Sequence, residues 1–572
     1  MLRVRNVLQM SVKSGLLVLA MAGSPWAGQP KEVDDRGTGP WPVDVRGFVP
    51  VQPGEHPRLL FRKADIPRLR EVAKTPEGQA LIKRLRAQLN GSDGESPTPP
   101  KMWTISHVAG WGFLYTVTGD KKYAELGKEC MDQSFAGAKD ANDSRYSFKV
   151  PDGALRAGPA LGWGALGYDL LYDGWDAEYR QKVADAIQNY NAGQWRSLAE
   201  LVRGERQHPG SNHWGMQVGG AALALLAVMN DPGIDMGKIE PLLKQSHKSM
   251  LINMTQGFGD GGFFVEGDGT GSMASHITFL PALQAWRTAY GKDYYTPRPN
   301  AQWMTMKWFF LTALGGNPAN FRASFPERGA YPHNIWARNG ISGGGYCSIG
   351  FGVATDEQKA AILWFYNHSG LKQWDEKMGF ACDAASCYPH HAILAFVNWP
   401  RGMTERNPGG ALPHAYRDSK MGFYAWRNRW QDAGDVIVSI QTKGVRGNFG
   451  CKAESALTVA CGGKQIKWGA INGGFAGEYQ PAKDGTTILV AGDGSSLAVD
   501  FSKASGADAM LVMTGPGAPA EGAVEAGGRK FSFRFFGSGE PPQPKAAGDK
   551  VTVGGQTVAF DGKRIVLGGS AK

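Results

Sequence analysis

Pro209-Gly-Ser-Asn212-His213-Trp214-Gly-Met-Gln-Val-Gly-Gly-Ala-Ala-Leu-Ala-Leu-Leu-Ala227 reads as a turn that opens onto a buried helix. Pro209, Gly210 and Ser211 supply the turn, and the side chains from Val218 to Val228 are all small or aliphatic. Asn212 and His213 therefore stand at the mouth of an apolar helix, where solvent, substrate and the positive end of the helix dipole meet. An amide there can hydrogen-bond a carboxylate and spread its charge, and an imidazole can take or give a proton near neutral pH. The alternative is that Asn212 only caps the helix while His213 packs or faces solvent.

The helical pattern continues on both sides of this stretch. From His56 to about Trp399 apolar residues recur at helical spacing, over roughly 64–89, 103–118, 121–134, 155–172, 176–203, 214–229, 238–256, 272–290, 300–314 and 356–370. Gly and Pro punctuate the joints and leave short connections, as in stacked helical hairpins. Hairpins in series predict an α/α toroid over residues 56–410, an incomplete barrel whose inner helix ends form a cleft. After Pro413 the texture changes to short alternating or β-branched runs such as Asp435-Val-Ile-Val-Ser-Ile-Gln441 and Lys530-Phe-Ser-Phe-Arg-Phe-Phe536, separated by Gly-rich turns. That is the pattern of an antiparallel β-sandwich, expected over 411–572.

The 572 residues imply more than one core. Arg3, Arg5 and Lys13 precede the apolar run Gly15-Leu-Leu-Val-Leu-Ala-Met-Ala22, and Ala20-Met-Ala22 is a cleavage motif, with Ala27 as a second. Residues 1–27 are therefore expected to be a signal peptide and 28–55 an extended lead-in, with the mature protein periplasmic or secreted. No other run approaches the ~20 apolar residues of a membrane span, so no membrane partner is expected. Six cysteines suit an oxidising compartment, and close spacing favours Cys382–Cys387 around a loop and Cys451–Cys461 across a hairpin. A net charge of +10 fits an acidic substrate such as a uronic-acid polysaccharide, and no Lys/Arg run of the nucleic-acid kind accompanies it.

Other candidates surround the central pair. Asp260-Gly-Gly-Phe-Phe-Val-Glu266-Gly-Asp268 offers carboxylates for substrate hydroxyls, for acid–base work in a hydrolase, or for holding its own loop. Trp214 suits sugar stacking, and Arg156 and Arg338 are among the arginines available to acidic sugars. His276 is a second base or acid. Tyr331 and Tyr346 lie in Gly/Pro-rich loops where a phenol can face a cleft. His390-His391 follows Cys387, but adjacent histidines do not share a helix face, and no cysteine or histidine cluster has zinc spacing.

His56-Pro-Arg-Leu-Leu-Phe-Arg-Lys-Ala-Asp-Ile-Pro67 resembles the opening of the heparinase II/III and alginate-lyase-like polysaccharide lyases. Asn212-His213-Trp214 is similar to their substrate-carboxylate motif, and Asp260-Gly followed by Glu266-Gly to one of their loops. The resemblance implies a toroid followed by a β-sandwich and cleavage of a uronic-acid glycan by β-elimination, without an organic cofactor. Two features depart from that pattern. Thr270 stands where relatives commonly carry a catalytic Tyr, and Gly447-Asn-Phe-Gly-Cys-Lys-Ala-Glu454 lacks the His-x-Asp of zinc-containing relatives, so no metal is expected.

Such a reaction needs a carboxylate neutraliser, a base for the C5 proton and an acid for the leaving O4. Asn212 with an Arg is the expected neutraliser, His213 the base and a Tyr the acid: Tyr346 or Tyr331, with His276 in reserve. Competing readings are a glycoside hydrolase using Glu266 and a second carboxylate, a uronate C5-epimerase, and a catalytically inactive acidic-glycan-binding protein.

Overall fold

The computed structural model describes residues 41–90, 105–140, 144–267, 275–314, 344–377, 389–443, 454–477 and 479–569. Its N-terminal part is helical: α1 (Ile66–Lys74), α2 (Pro76–Asn90), α3 (His107–Thr118), α4 (Lys121–Ala136), α5 (Ala154–Leu171), α6 (Ala177–Gln188), α7 (Leu198–Val202), α8 (Asn212–Val228) and α9 (Met236–Ile252). The helices Leu280–Tyr290, Pro299–Leu311, Gly344–Phe351, Asp356–His368, Leu371–Lys377 and Pro389–Asn398 follow. α3, α5 and α8 are buried along nearly their whole length, while α4, α6 and α9 bury one face and turn charged residues outward. Inner and outer helices alternate, as the helical hairpins require.

Glycine explains how the inner helices pack. A Cβ on Gly220 of α8 would lie 1.9 Å from the Gly158 carbonyl oxygen of α5, and one on Gly158 would lie 2.4 Å from the Met216 oxygen. Gly158 and Gly162 of α5 meet α8 at successively later residues, and Gly167 meets Val108 of α3 while Gly112 of α3 meets Leu170, so α3, α5 and α8 run parallel. Phe113 of α3 packs on Phe396, and Gly110 approaches Pro389, which adds the helix Pro389–Asn398 in the same direction. Their N-termini gather at one end of the helical body.

Two expected helices are broken. Residues 64–89 divide at Thr75, which ends α1 ahead of Pro76. Residues 176–203 divide into α6 and α7, because Gly193 turns with φ 106° and Ser197 starts a new helix through a capping box with Glu200. At the far end of α5 and α8 the opening motif acts as a staple. The His56 ring bonds Asp169 at 2.7 Å and Asp231 at 3.0 Å, the Arg58 and Leu59 N–H groups donate to Asp169, and Arg58 Nη1 donates to the Met229 carbonyl that ends α8.

The C-terminal part is built from antiparallel sheets stacked in layers. The first has the order β3 (Ala415–Asp418), β4 (Phe423–Arg427), β5 (Ile437–Gln441), β6 (Glu454–Cys461), β7 (Lys464–Ala470). The second comprises β8 (Phe475–Ala476), β9 (Thr487–Ala491), β10 (Ser496–Asp500), β11 (Ala509–Thr514), β12 (Ala523–Ala526) and β13 (Arg529–Phe536), and the third β14 (Lys545–Ala547), β15 (Lys550–Val553), β16 (Gln556–Phe560) and β17 (Ile565–Gly569). The short β1 (Val43–Asp44) and β2 (Lys292–Asp293) pair beside the helices.

Strand alternation sets the layers. Phe423 and Ala425 of β4 enter the helical core, whereas Tyr424 and Trp426 enter a second core with Leu497, Val499, Leu511 and Met513. Ala498, Met510 and Val512 point the other way, into a third core with Val551, Val553, Val558 and Ile565. Sheets one and two form the expected sandwich, and the 545–569 sheet is an additional layer. Cys461, expected to pair with Cys451 across a hairpin, carries a free thiol at the end of β6, and Cys451 lies outside the described residues. Cys382 and Cys387 lie outside the described residues, as do the signal and most of the lead-in.

Candidate active site

The start of α8 is capped by Ser211, whose hydroxyl accepts from the His213 N–H at 3.3 Å, so Asn212 is not the cap. Asn212 instead donates both its backbone N–H (3.0 Å) and its side-chain Nδ2 (2.8 Å) to one oxygen of Glu266, which also bonds Ser211. Glu266 is fully buried, and burial raises its pKa against the opposing hydrogen bonds from Asn212. Asn212 is itself only 3% exposed. Glu266 is thus an anchor for Asn212 rather than a group presented to substrate.

Glu266 ends a tight loop set between two π-helical turns, 253–257 and 275–279. Phe258 bridges Phe264, and the Asn253 side chain donates to the Pro209 carbonyl at 2.8 Å, tying the loop to the turn before α8. The loop glycines permit a close approach to β3. A Cβ on Gly259 would lie 2.0 Å from Asp418 Oδ1, and one on Gly261 would lie 2.3 Å from the Arg417 oxygen. Asp418 accepts the Gly261 and Phe263 N–H groups at 3.0 and 2.9 Å. Burial and the neighbouring Asp260 push its carboxyl up to about 7. Asp260 stays below the usual range in spite of its own desolvation, held there by the bond from Asp418 and by the Lys420 N–H. Below about pH 7 the pair therefore holds one proton between two carboxyl groups, on Asp418.

His213 is half-buried, and burial, then the charge of Arg156, lowers its pKa, which keeps the imidazole neutral near pH 7. Arg156 comes from the first turn of α5 and is buried, with its guanidinium over the Tyr146 ring at 5.1 Å. Among the described residues its Nε and Nη1 find no hydrogen-bond acceptor. Gln217, one turn along α8 from His213, likewise has a buried side-chain amide without a partner among the described residues. Tyr146 packs on Trp163, which contacts His390; His390 bonds the Ile277 carbonyl at 3.2 Å and lies 4.2 Å from the His391 ring. Burial keeps His390 well below the usual histidine range.

Asn212, His213, Arg156 and Glu266 are therefore brought together. Trp214 is mostly buried, with Nε1 donating to the Ser249 carbonyl and its ring against Gly204, a packing position. His276 falls in the π-helical turn beside Ile277, and Tyr346 in the first turn of Gly344–Phe351. Tyr331 and Arg338, with Asp268 and Thr270, lie outside the described residues. Sequence reading passed over Tyr146 and Gln217, and it weighed His390-His391 only as a metal pair. A signal was available for the last two: they sit within two residues of Pro389, a helix start facing the same end as Asn212. Among the described residues no group of three or more His, Cys, Asp or Glu side chains stands ready to hold a metal, and residues 447–453, which carry no His-x-Asp, lie outside them.

A buried guanidinium with two donors free of acceptors among the described residues, an anchored amide and a neutral imidazole at one mouth can bind a carboxylate and remove a proton beside it. No protein-family model and no curated protein matches the chain. Solved structures do. A heparinase III aligns over 86% of this chain and 81% of its own, with a TM-score of 0.38 and 11% identity. A heparan sulfate lyase mutant from Pedobacter heparinus aligns over 87% and 80%, with a TM-score of 0.38 and 11% identity. A chondroitin AC lyase mutant from Streptomyces coelicolor aligns over 87% and 75%, with a TM-score of 0.37 and 10% identity.

Proposed function

We propose that the protein is an exported lyase that cleaves a uronic-acid polysaccharide by β-elimination. The observation that carries this reading is Arg156: a buried guanidinium with two donors lacking acceptors among the described residues, next to a half-buried neutral histidine. A buried cation without its anion is costly, and a substrate carboxylate supplies that anion. Asn212, fixed by Glu266, adds its second Nδ2 hydrogen. With the carboxylate charge offset, His213 takes the C5 proton. The electron pair forms the C4–C5 double bond, and O4 leaves with a proton from a tyrosine, for which Tyr346, Tyr331 and Tyr146 are the candidates.

The burial of Glu266 beneath Asn212 counts against the hydrolase alternative, which needs that carboxyl at the scissile bond. The basic and apolar N-terminal run supports export. The test is a panel of alginate, glucuronan, heparan, chondroitin and hyaluronan, followed by ultraviolet absorbance and product mass. An unsaturated product supports the lyase; cleavage with addition of water and no chromophore refutes it.

A further inference from the structure

The break between α6 and α7 creates a groove of about 640 Å³ lined by Gly153 and Ala154 at the start of α5, residues 194–196, and residues 205–207. Two of its side chains are unusual. Trp195 and Arg206 adopt left-handed backbone conformations, with φ 66° and 59°, and Arg206 lies over the Trp195 ring at 4.2 Å. Bulky side chains rarely occupy this region, which Gly adopts freely and Asn more readily than other residues. Gly193 and Gly204 already make the adjacent turns, so chain reversal alone does not demand a second left-handed residue in each. Strain of this kind, held by two separate turns and directed into one cavity, marks binding surfaces.

The chemistry of the groove is that of an acidic sugar. An indole offers apolar surface to a pyranose, and the guanidinium stacked over it pairs with a carboxylate or sulfate. Arg206 is exposed; Arg196 is fixed by donating Nη1 to the Pro151 carbonyl at 2.7 Å. Glu205, the carboxylate among the groove residues, is held by Arg203 at 3.1 Å. The groove adjoins the candidate site: Arg156 lies in the turn of α5 that Ala154 begins, and Gly204, two residues before Arg206, packs on the Trp214 ring.

We infer that Trp195 and Arg206 form a separate subsite, which binds one acidic sugar unit of the glycan at a distance from the bond that is cut. The inference rests on the acidic-glycan reading above. Its test is calorimetry of the full chain with hexasaccharides and disaccharides from the same five glycans, beside the absorbance assay, for wild type, Trp195→Asn and Arg206→Asn. Asparagine tolerates the left-handed region, so each variant removes a side chain and keeps its turn. Both variants are expected to melt no lower than wild type. They should lose about tenfold in affinity for the tightest hexasaccharide, the size of one charge-assisted contact, and keep their disaccharide affinity.

Equal hexasaccharide binding by all three proteins overturns the subsite. So does loss of disaccharide and hexasaccharide binding by the same factor, which places the two residues within the reacting site. Hexasaccharide binding that depends on Trp195 without any chromophore keeps the subsite and refutes the lyase. A chromophore from the polymers with no hexasaccharide binding by wild type keeps the lyase and refutes the subsite. Should either asparagine variant unfold, glycine at the same position takes its place.

Discussion

Asn212 gives its backbone N–H and its side-chain N–H to a single oxygen of Glu266, at 3.0 and 2.8 Å. A residue that could have served as a helix cap is thereby fixed from a loop 54 positions away, while Ser211 does the capping.

Removing that amide tests both of its contacts. Asn212→Ala is expected to lower turnover by roughly 10²–10³, the size associated with one charge-stabilising donor. It should also lower stability by about 1–2 kcal/mol, because Glu266 loses a donor in a buried setting. Turnover measured per folded molecule separates the two effects. A destabilised variant with wild-type turnover would make Asn212 structural only.

The pH profile reports on His213. Its pKa is lowered by burial and then by Arg156, so the neutral base persists into acidic solution. Arg156→Met removes the cation, raises the histidine pKa, and should move the acidic limb of kcat/KM to higher pH as well as lowering turnover. An acidic limb at the same pH in variant and wild type would assign it to another group.

The Asp260–Asp418 pair predicts a pH-dependent stability. The folded pKa of Asp418 is raised to about 7, so its contribution is fully present below the unfolded carboxyl value of ~3.9 and is lost as pH climbs towards 7. Asp418→Asn cannot ionise. The melting temperature of the variant minus that of wild type should therefore become more positive from pH 4 to pH 8. A difference that stays constant across this range refutes the shared proton.

Arg427 joins sheet and helices. It is fully buried and donates to the Phe310 and Thr312 carbonyls at 3.0 and 2.7 Å, at the end of the helix Pro299–Leu311, and to Asp435 at 2.7 Å. Burial lowers its pKa to about 10, which leaves it charged at neutral pH. Arg427→Met is expected to cost about 3–5 kcal/mol in denaturant unfolding, since Asp435 and two helix-end carbonyls lose their donor. A loss below 1 kcal/mol would show that Arg429, which also bonds Asp435, is sufficient.

Exporting the same logic to metals, exhaustive chelation should leave turnover unchanged. Complete loss with recovery by zinc or calcium would refute metal independence.

The helices were legible because burial on every side leaves a uniform small-residue signature, as in Val218 to Val228. The paired strands of the first two sheets were legible where one run stood between Gly-rich turns, as at Lys530 to Phe536. Ser496–Asp500 was not: Leu497 and Val499 face one core and Ala498 another, so full burial erases the alternation that marks a strand. The sheet from Lys545 to Gly569 was missed because its strands are short and many of its residues exposed. At the site, position on α8 exposed Asn212 and His213 to view. The anchoring role of Glu266 and the clasp of Asp418 on Gly261 are contacts across 54 and 157 residues, and no local pattern encodes them.

Because Phe423 and Ala425 complete the core of the helices from β4, the helical body is not a portable module. A fragment ending at residue 410 would leave the loop of Asp260 and Glu266 without the backbone clasp that shapes it, and with it the amide of Asn212. Gene fusions, circular permutants and minimised versions of this protein must keep the first sheet attached, and each sheet removed from the outside inward uncovers the apolar face of the next.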